Sequence, residues 1–330
     1  MDGAVAFDYS KITARQMLNL DSEDENEAIV SCAGGCHLKT FRTFDKTAAS
    51  GSALRVRVGG FAGGHSGSDI HLGKVNAARR LGKLLTKICE KYDCRLIRFE
   101  GGEKDNAIPT DAYAELLIGE GAEPEFAELF KRAQKTVTAA DAAAEISFER
   151  YSYSGDAFDT HATKQICKLI AIIPNGVVSR YEHIDLVKTS LNTGVVRAAD
   201  GEFLLHSMIR SSDDAEKDQL TDEVCALAAG MGFSYEKDGQ YPSWGYAEHS
   251  PLREIYIDAY RRVYGHEPRV CGIHAGLECG FIKSAIPDMD ILSLGPTMRD
   301  IHTVNERLDM DSCARFMQML RLIVHGHEAK

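Results

Sequence analysis

No apolar run in this chain approaches the roughly 18 residues that a membrane-spanning helix needs. The N-terminus, M-D-G-A-V-A-F-D, lacks the basic start and long apolar core of a secretory leader. Basic residues are too few for a nucleic-acid binder: 38 Lys and Arg against 49 Asp and Glu leave a net charge of −11, and phosphate contacts need clustered cations. The 9 cysteines form no C-x-x-C pair, and their odd number and irregular spacing read as reduced thiols rather than a disulfide framework. Cys32 and Cys36 have no second Cys/His pair at zinc-finger spacing, so a structural zinc is not expected there. A cytoplasmic location follows as the expectation. What remains is an ordinary globular composition, 44% hydrophobic and 26% charged, in 330 residues, long enough for two domains with separate cores.

Periodicity organises the chain. Met17–Leu20 reads as a short strand that runs into the acidic turn Asp21–Glu25. Ala28–Ser31 and His37–Phe44 read as strands on either side of a break at Ala33-Gly34-Gly35. In S-A-L-R-V-R-V, residues 52–58, Leu54, Val56 and Val58 alternate with Arg55 and Arg57, the pattern of a strand with one buried face. A helix carrying Ile70, Val75, Ala78, Leu81, Leu85 and Ile88 on one stripe follows. Further strands are predicted at 96–99, 113–118 and 146–153, with helices over 123–144 and 159–173. A hairpin at 190–197 and 202–210 leads to a helix over 215–231. Residues 36–243 therefore predict an α+β unit with helices on one sheet face. After the turn-rich Tyr241-Pro242-Ser243-Trp244, Pro251–Tyr264 reads as a helix, and Val270–His327 as strand, helix, strand, loop and final helix.

Candidate site residues lie where strands end. Met289–Leu294 predicts a buried strand closed by Gly295-Pro296, so His302 falls in a loop at a strand's carboxyl end, where α/β sheets bind ligands. His274 and Glu278 lie in the preceding glycine-rich turn. Asp21 follows a strand directly and reads either as part of a solvated turn or as a metal ligand. The segment G-G-H-S-G, residues 63–67, lacks the phosphate-loop pattern G-x-x-x-x-G-K-[ST]. It reads as a tight turn that presents His65, a donor for a carbonyl oxygen on which charge develops. His183-Ile184-Asp185 spells H-x-D in a helix-like stretch and reads as surface or packing. Arg210 ends a strand, as a surface ion-pair partner or as a fork for a carboxylate.

Together G-G-H-S-G-S-D-I-H, N-A-I-P, T-S-L-N-T-G-V-V, I-R-S, H-A-G-L-E-C-G and L-S-L-G-P-T-x-x-x-H resemble the aminoacyl-histidine dipeptidases of the di-zinc aminoacylase/carboxypeptidase superfamily, along essentially the whole chain. The resemblance implies an α/β catalytic domain, residues 1–35 and 244–330, interrupted by an inserted α+β lid and dimerisation domain, residues 36–243. It implies a cytosolic homodimer that hydrolyses Xaa-His dipeptides, with two Zn2+ ions, or Mn2+ or Co2+ in their place. Asp21 and His302 match metal ligands. His65 matches a contact to the scissile carbonyl, Arg210 and Asn106 contacts to the terminal carboxylate end, and Gly276 and Glu278 the substrate-facing turn. The family's H-x-D motif, bridging Asp and Glu-Glu pair, which supplies the general base, have no counterpart in the chain. The α/β catalytic domain is thus expected to be incomplete, with a companion chain as the source of the missing part. The second expectation is a non-catalytic binding or dimerisation module.

Overall fold

The computed structural model describes residues 2–119, 123–182, 184–301 and 303–325, and it contains two principal sheets. The smaller has four strands in the order Gln16–Asn19, Asp290–Ser293, Glu27–Cys32 and Arg269–Ile273. Its outer pairs are parallel, and a single antiparallel contact, Ser293 with Ile29, joins them. Both faces are covered. Ala28, Val30 and Leu292 pack under Leu252, Tyr256 and Tyr260 of the helix Pro251–Tyr264 and under Phe316, Met319 and Ile323 of the helix Met310–His325. Ile29, Cys32 and Ile291 meet Trp244, Cys279 and Ile286 on the other side. Burial on both faces explains why E-A-I-V-S-C reads as a continuous apolar run rather than an alternation.

The helix Pro251–Tyr264 is delimited by local chemistry. Ser250 caps it by accepting the Arg253 N–H at 3.1 Å, Pro251 takes the first position, and Gly265 closes it at φ 77°. A buried charge then ties its far end to the last helix. The Glu25 carboxylate accepts from Arg315 Nε at 2.9 Å, Arg315 Nη2 at 2.5 Å and Tyr264 OH at 2.8 Å. Arg315 first among these partners holds the Glu25 carboxyl below its usual range against the cost of burial.

The larger sheet has nine strands and is antiparallel throughout. From one edge it runs Ser234–Tyr241, Gly34–Thr43, Glu202–Ser211, Val187–Ala199, Cys94–Gly101, Ala112–Ile118, Lys46–Gly59 and Glu145–Phe158, with Gly176–Arg180 also paired to Val187–Ala199. The helices Ala77–Lys91, Thr160–Ile172 and Asp214–Gly230 bury one face, against Leu38, Leu54, Val56, Leu96, Phe203, Leu205 and Ile209. Since side chains alternate across a strand, His206, Met208 and Arg210 project from the other face. The hairpin between Ala199 and Glu202 turns on Asp200 and Gly201, both at positive φ (54° and 83°), the geometry that matches the twist of paired strands.

Two adjacent crossings join the sheets. Glu27–Cys32 leaves the small sheet and Gly34–Thr43 enters the large one with only Ala33 between them. The returning chain runs antiparallel beside it: Cys32 N–H donates to Trp244 O at 2.9 Å and Trp244 N–H to Cys32 O at 3.0 Å. A Cβ on residue 34 would lie 2.7 Å from Ser243 N and from Tyr241 O, so glycine is required by the closeness of the two backbones.

Several sequence expectations change. The break expected over Ala33-Gly34-Gly35 shrinks to Ala33 alone, because both glycines already belong to the strand Gly34–Thr43 and serve this crossing. The helix expected from Ile70 begins at Ala77, after a short 3-10 turn over Ile70–Leu72 that ends at Gly73, φ 65°. Residues 184 and 185 are bends rather than helix, and His183 lies outside the described residues. The strands Gly176–Arg180 and Ser234–Tyr241 have no sequence counterpart: the second is mostly exposed and polar, and only its pairing with Gly34–Thr43 defines it.

Gly34→Ala is expected to destabilise the fold by about 1–3 kcal/mol through backbone overpacking, read as a lowered urea midpoint with unchanged slope. Because the Glu25 carboxyl is held below its usual value, its contribution to stability is present above the unfolded-state value and lost as pH falls through the folded-state value. Glu25→Gln should therefore lower the melting temperature at neutral pH and narrow the gap to the parent protein under acid conditions.

Candidate functional site

The helix-free face of the large sheet, next to the crossings, gathers the polar residues. Strand register places Gly35, Arg210 and Ser190 side by side across three strands. Arg210 is only 6% exposed. Its Nη1 donates to Tyr241 OH at 2.8 Å, while its Nε has no partner among the described residues. No carboxylate among those residues pairs with it, so a buried guanidinium is left with its charge uncompensated, a costly state unless an anion arrives. Tyr241 reaches Arg210 because residue 35 is glycine: a Cβ there would lie 2.5 Å from the Tyr241 hydroxyl. Burial raises the Tyr241 phenol pKa and Arg210 opposes the rise.

Two histidines share this environment. His274 is buried, and its Nε2 stands 2.7 Å from Ser190 Oγ. Burial, then the Arg210 charge, pushes its pKa down to about 3, so it is neutral at physiological pH. His65 lies opposite Ala107 in a two-residue pairing. Its Nδ1 accepts the backbone N–H groups of Gly67 and Ser68, each at 3.2 Å. That network assigns the proton of the neutral ring to Nε2, which becomes a donor. Burial first and Arg210 second lower the His65 pKa, which favours this neutral tautomer. A Cβ on residue 67 would lie 2.5 Å from His274 O, so the G-G-H-S-G turn sits directly on the H-A-G-L-E-C-G turn.

Asn106 joins His65 through the backbone, since Ser66 N–H donates to Asn106 O at 2.8 Å. Gly276 lies half-buried in the turn after His274, and Glu278 is exposed where the helix Cys279–Ala285 begins. The Glu278 charge adds to burial in raising the Tyr9 phenol pKa. Asp21 is exposed just past the strand Gln16–Asn19. Its neighbour Ser22 donates its N–H to Leu294 O at 3.1 Å, so Asp21 stands beside the loop that leaves the strand Asp290–Ser293. His302, in that loop, lies outside the described residues. Among the described residues no group of three or more His, Cys, Asp or Glu side chains could hold a metal ion. A hydrolytic zinc takes about three protein ligands and keeps one open position, so the described side chains do not fit such an ion by themselves.

The structure thus draws His65, Asn106, Arg210 and the Gly276 turn together, with Glu278 at the turn's exposed end. Sequence reading left out Tyr241, which looked only like a boundary turn. It also left out Ser190 as a partner of His274, and the pair His37 and Asp105. No local signal marks these residues, because each acquires its neighbour from a distant part of the chain: Arg210 meets Tyr241 across adjacent strands, and Ser190 and His37 meet residues of loops laid against the sheet.

Compared with known proteins, residues 46–325 match the model of peptidase family M20/M25/M40. The chain is 32% identical over 337 residues to the cytosol non-specific dipeptidase of Escherichia coli (strain K12), covering 100% of this chain and 70% of that protein. The crystal structure of an aminoacylhistidine dipeptidase from Vibrio alginolyticus is similar with a TM-score of 0.93 at 30% identity, covering 98% of this chain and 68% of that one.

An uncompensated buried cation implies stability given up locally for binding. Arg210→Met is expected to leave the thermal midpoint unchanged or raised, and a clear fall in that midpoint would assign Arg210 a structural role.

Proposed function

Since the chain belongs to peptidase family M20/M25/M40, we propose that it is a dipeptidase whose substrates are Xaa-His dipeptides, bound across the face that carries Arg210. The observation behind this reading is the buried Arg210 guanidinium, hydrogen-bonded to Tyr241 and with no carboxylate partner among the described residues. A planar fork in a low-dielectric site suits a terminal carboxylate, and that group would compensate the charge. The Asn106 amide supports the same end. His65 Nε2–H points its donor function at the scissile carbonyl, where a neutral, pre-organised N–H stabilises the oxygen as it gains negative charge. Gly276 and Glu278 belong to the turn that faces the substrate.

In this reading residues 36–243 act as a lid over a catalytic unit formed by 1–35 and 244–330, and the lid carries the homodimer contact. Its two connections are the crossings at Cys32–Gly34 and Tyr241–Trp244. The cytosol named for the Escherichia coli relative accords with a cytoplasmic location. Two divalent ions, Zn2+ with Mn2+ or Co2+ as alternatives, belong to the same reading, with Asp21 and His302 as their ligands. The described ligand set does not complete such a centre. We infer that this chain binds dipeptide but turns it over poorly without further ligands, which a companion chain would supply.

Metal content by elemental analysis and β-alanyl-histidine hydrolysis with added zinc or manganese, on one sample, test the inference. Stoichiometric metal with rapid turnover would overturn it. Binding is tested separately by calorimetry. Arg210→Ala should weaken β-alanyl-histidine binding roughly 10- to 100-fold, the range of one lost charge-assisted pair. Amidating the ligand's carboxylate should weaken binding to the parent protein by a similar factor, and equal affinity for acid and amide would refute the role given to Arg210.

A further inference from the structure

The loop that carries Asn106 is gripped from two strands. From Val187–Ala199, the Asn192 amide donates to the carbonyl oxygens of Asp105 and Ala107, both at 2.8 Å. From Gly34–Thr43, His37 Nδ1 makes a short bond to the Asp105 carboxylate. Met208 lies opposite both His37 and Asn192, so the two grips flank the residue two positions before Arg210, on the same face. Gly194 completes the seat: a Cβ there would collide with Lys104 O and Asp105 Cα, so the loop lies directly on the strand.

We propose that His37 is a positioning residue: by holding Asp105 it sets the Asn106 loop against the His65 turn, and dipeptide affinity depends on that bond. The ligand named rests on the dipeptidase reading, whereas the fixing of the loop does not. His37 touches none of the residues placed at the scissile bond, so its effect reaches substrate only through the loop. Its side chain is 37% exposed and that of Asp105 22%, which leaves the pair open to proton exchange with solvent.

The bond carries a pH dependence. His37 faces Asp105 on the loop, Arg210 and His206 on Glu202–Ser211 and Asp238 on the edge strand; Lys39 on its own strand acts on His206, and Tyr241 on the edge strand acts with Arg210 and Asp105. The Asp105 hydrogen bond raises the His37 pKa above the ordinary imidazole range, while burial and Arg210 oppose the rise. Asp105 is correspondingly held low, first by His37. His206 is pushed down, first by burial, while Asp105 opposes the fall. The imidazolium–carboxylate pair is therefore complete below the raised His37 value and lost as pH rises through it, so the loop loosens on the alkaline side.

Hydrogen–deuterium exchange of peptides covering 103–107, corrected for intrinsic rates, and calorimetric affinity for β-alanyl-histidine are followed from about pH 6 to about pH 9. In the parent protein loop protection and affinity should fall together on the alkaline side, affinity by roughly tenfold. His37→Gln and Asp105→Asn should bind more weakly than the parent at the acid end and converge with it at the alkaline end, with flat profiles and melting temperatures near that of the parent. A flat parent profile, or an alkaline loss that persists in His37→Gln, would overturn the proposal. Failure of the parent to bind dipeptide at any pH would refute the ligand reading, and the exchange profile would still decide whether His37 holds the loop.

Discussion

The two backbone hydrogen bonds between Cys32 and Trp244 constrain much of the rest of this molecule. They hold the outgoing and returning strands side by side where the chain passes between its two sheets. With no room for a side chain at residue 34 and none at residue 35, the returning strand comes close enough for Tyr241 to meet Arg210. The Gly35–Arg210–Ser190 row then brings Ser190 to His274, which comes from the turn after the edge strand Arg269–Ile273 of the small sheet. A functional face assembled from distant parts of the chain thus rests on one short piece of antiparallel pairing.

The electrostatics of that face run against those of the whole chain. The net charge is −11, yet the site retains a buried cation without a carboxylate partner among the described residues. Two histidines beside it, His65 and His274, are pushed toward neutrality by burial and by Arg210 itself. Neutral rings avoid adding repulsion around the guanidinium and keep their N–H groups as donors. Glu25 and Arg315 show the opposite arrangement, a buried carboxylate answered by a bidentate guanidinium and a tyrosine hydroxyl. That network fastens elements together, whereas Arg210 is left to meet something from outside.

Much of the architecture was legible in local pattern. Leu54, Val56 and Val58 alternate because one face of their strand lies under helices. Ser250-Pro251 and Gly265 delimit a helix by capping chemistry that depends only on neighbours in sequence. The turn around His65 was legible from its glycines, although which ring nitrogen carries the proton required the Gly67 and Ser68 amides in place. Gly34-Gly35 was misread because glycine marks both a chain break and a close approach of backbones, and sequence alone does not separate them.

By itself, the sequence determined what is local: which segments alternate with period two, which carry a helical stripe, where caps and turns stand, and the motifs that carry the family likeness. Tertiary structure decided which strands lie side by side and which loops are laid against them, and with these every pairing on the functional face: Arg210 with Tyr241, Ser190 with His274, His37 with Asp105. The reason is physical. Strand register joins residues far apart in sequence through backbone hydrogen bonds that are the same for nearly every residue type, so their side chains bear little record of the partner they will meet.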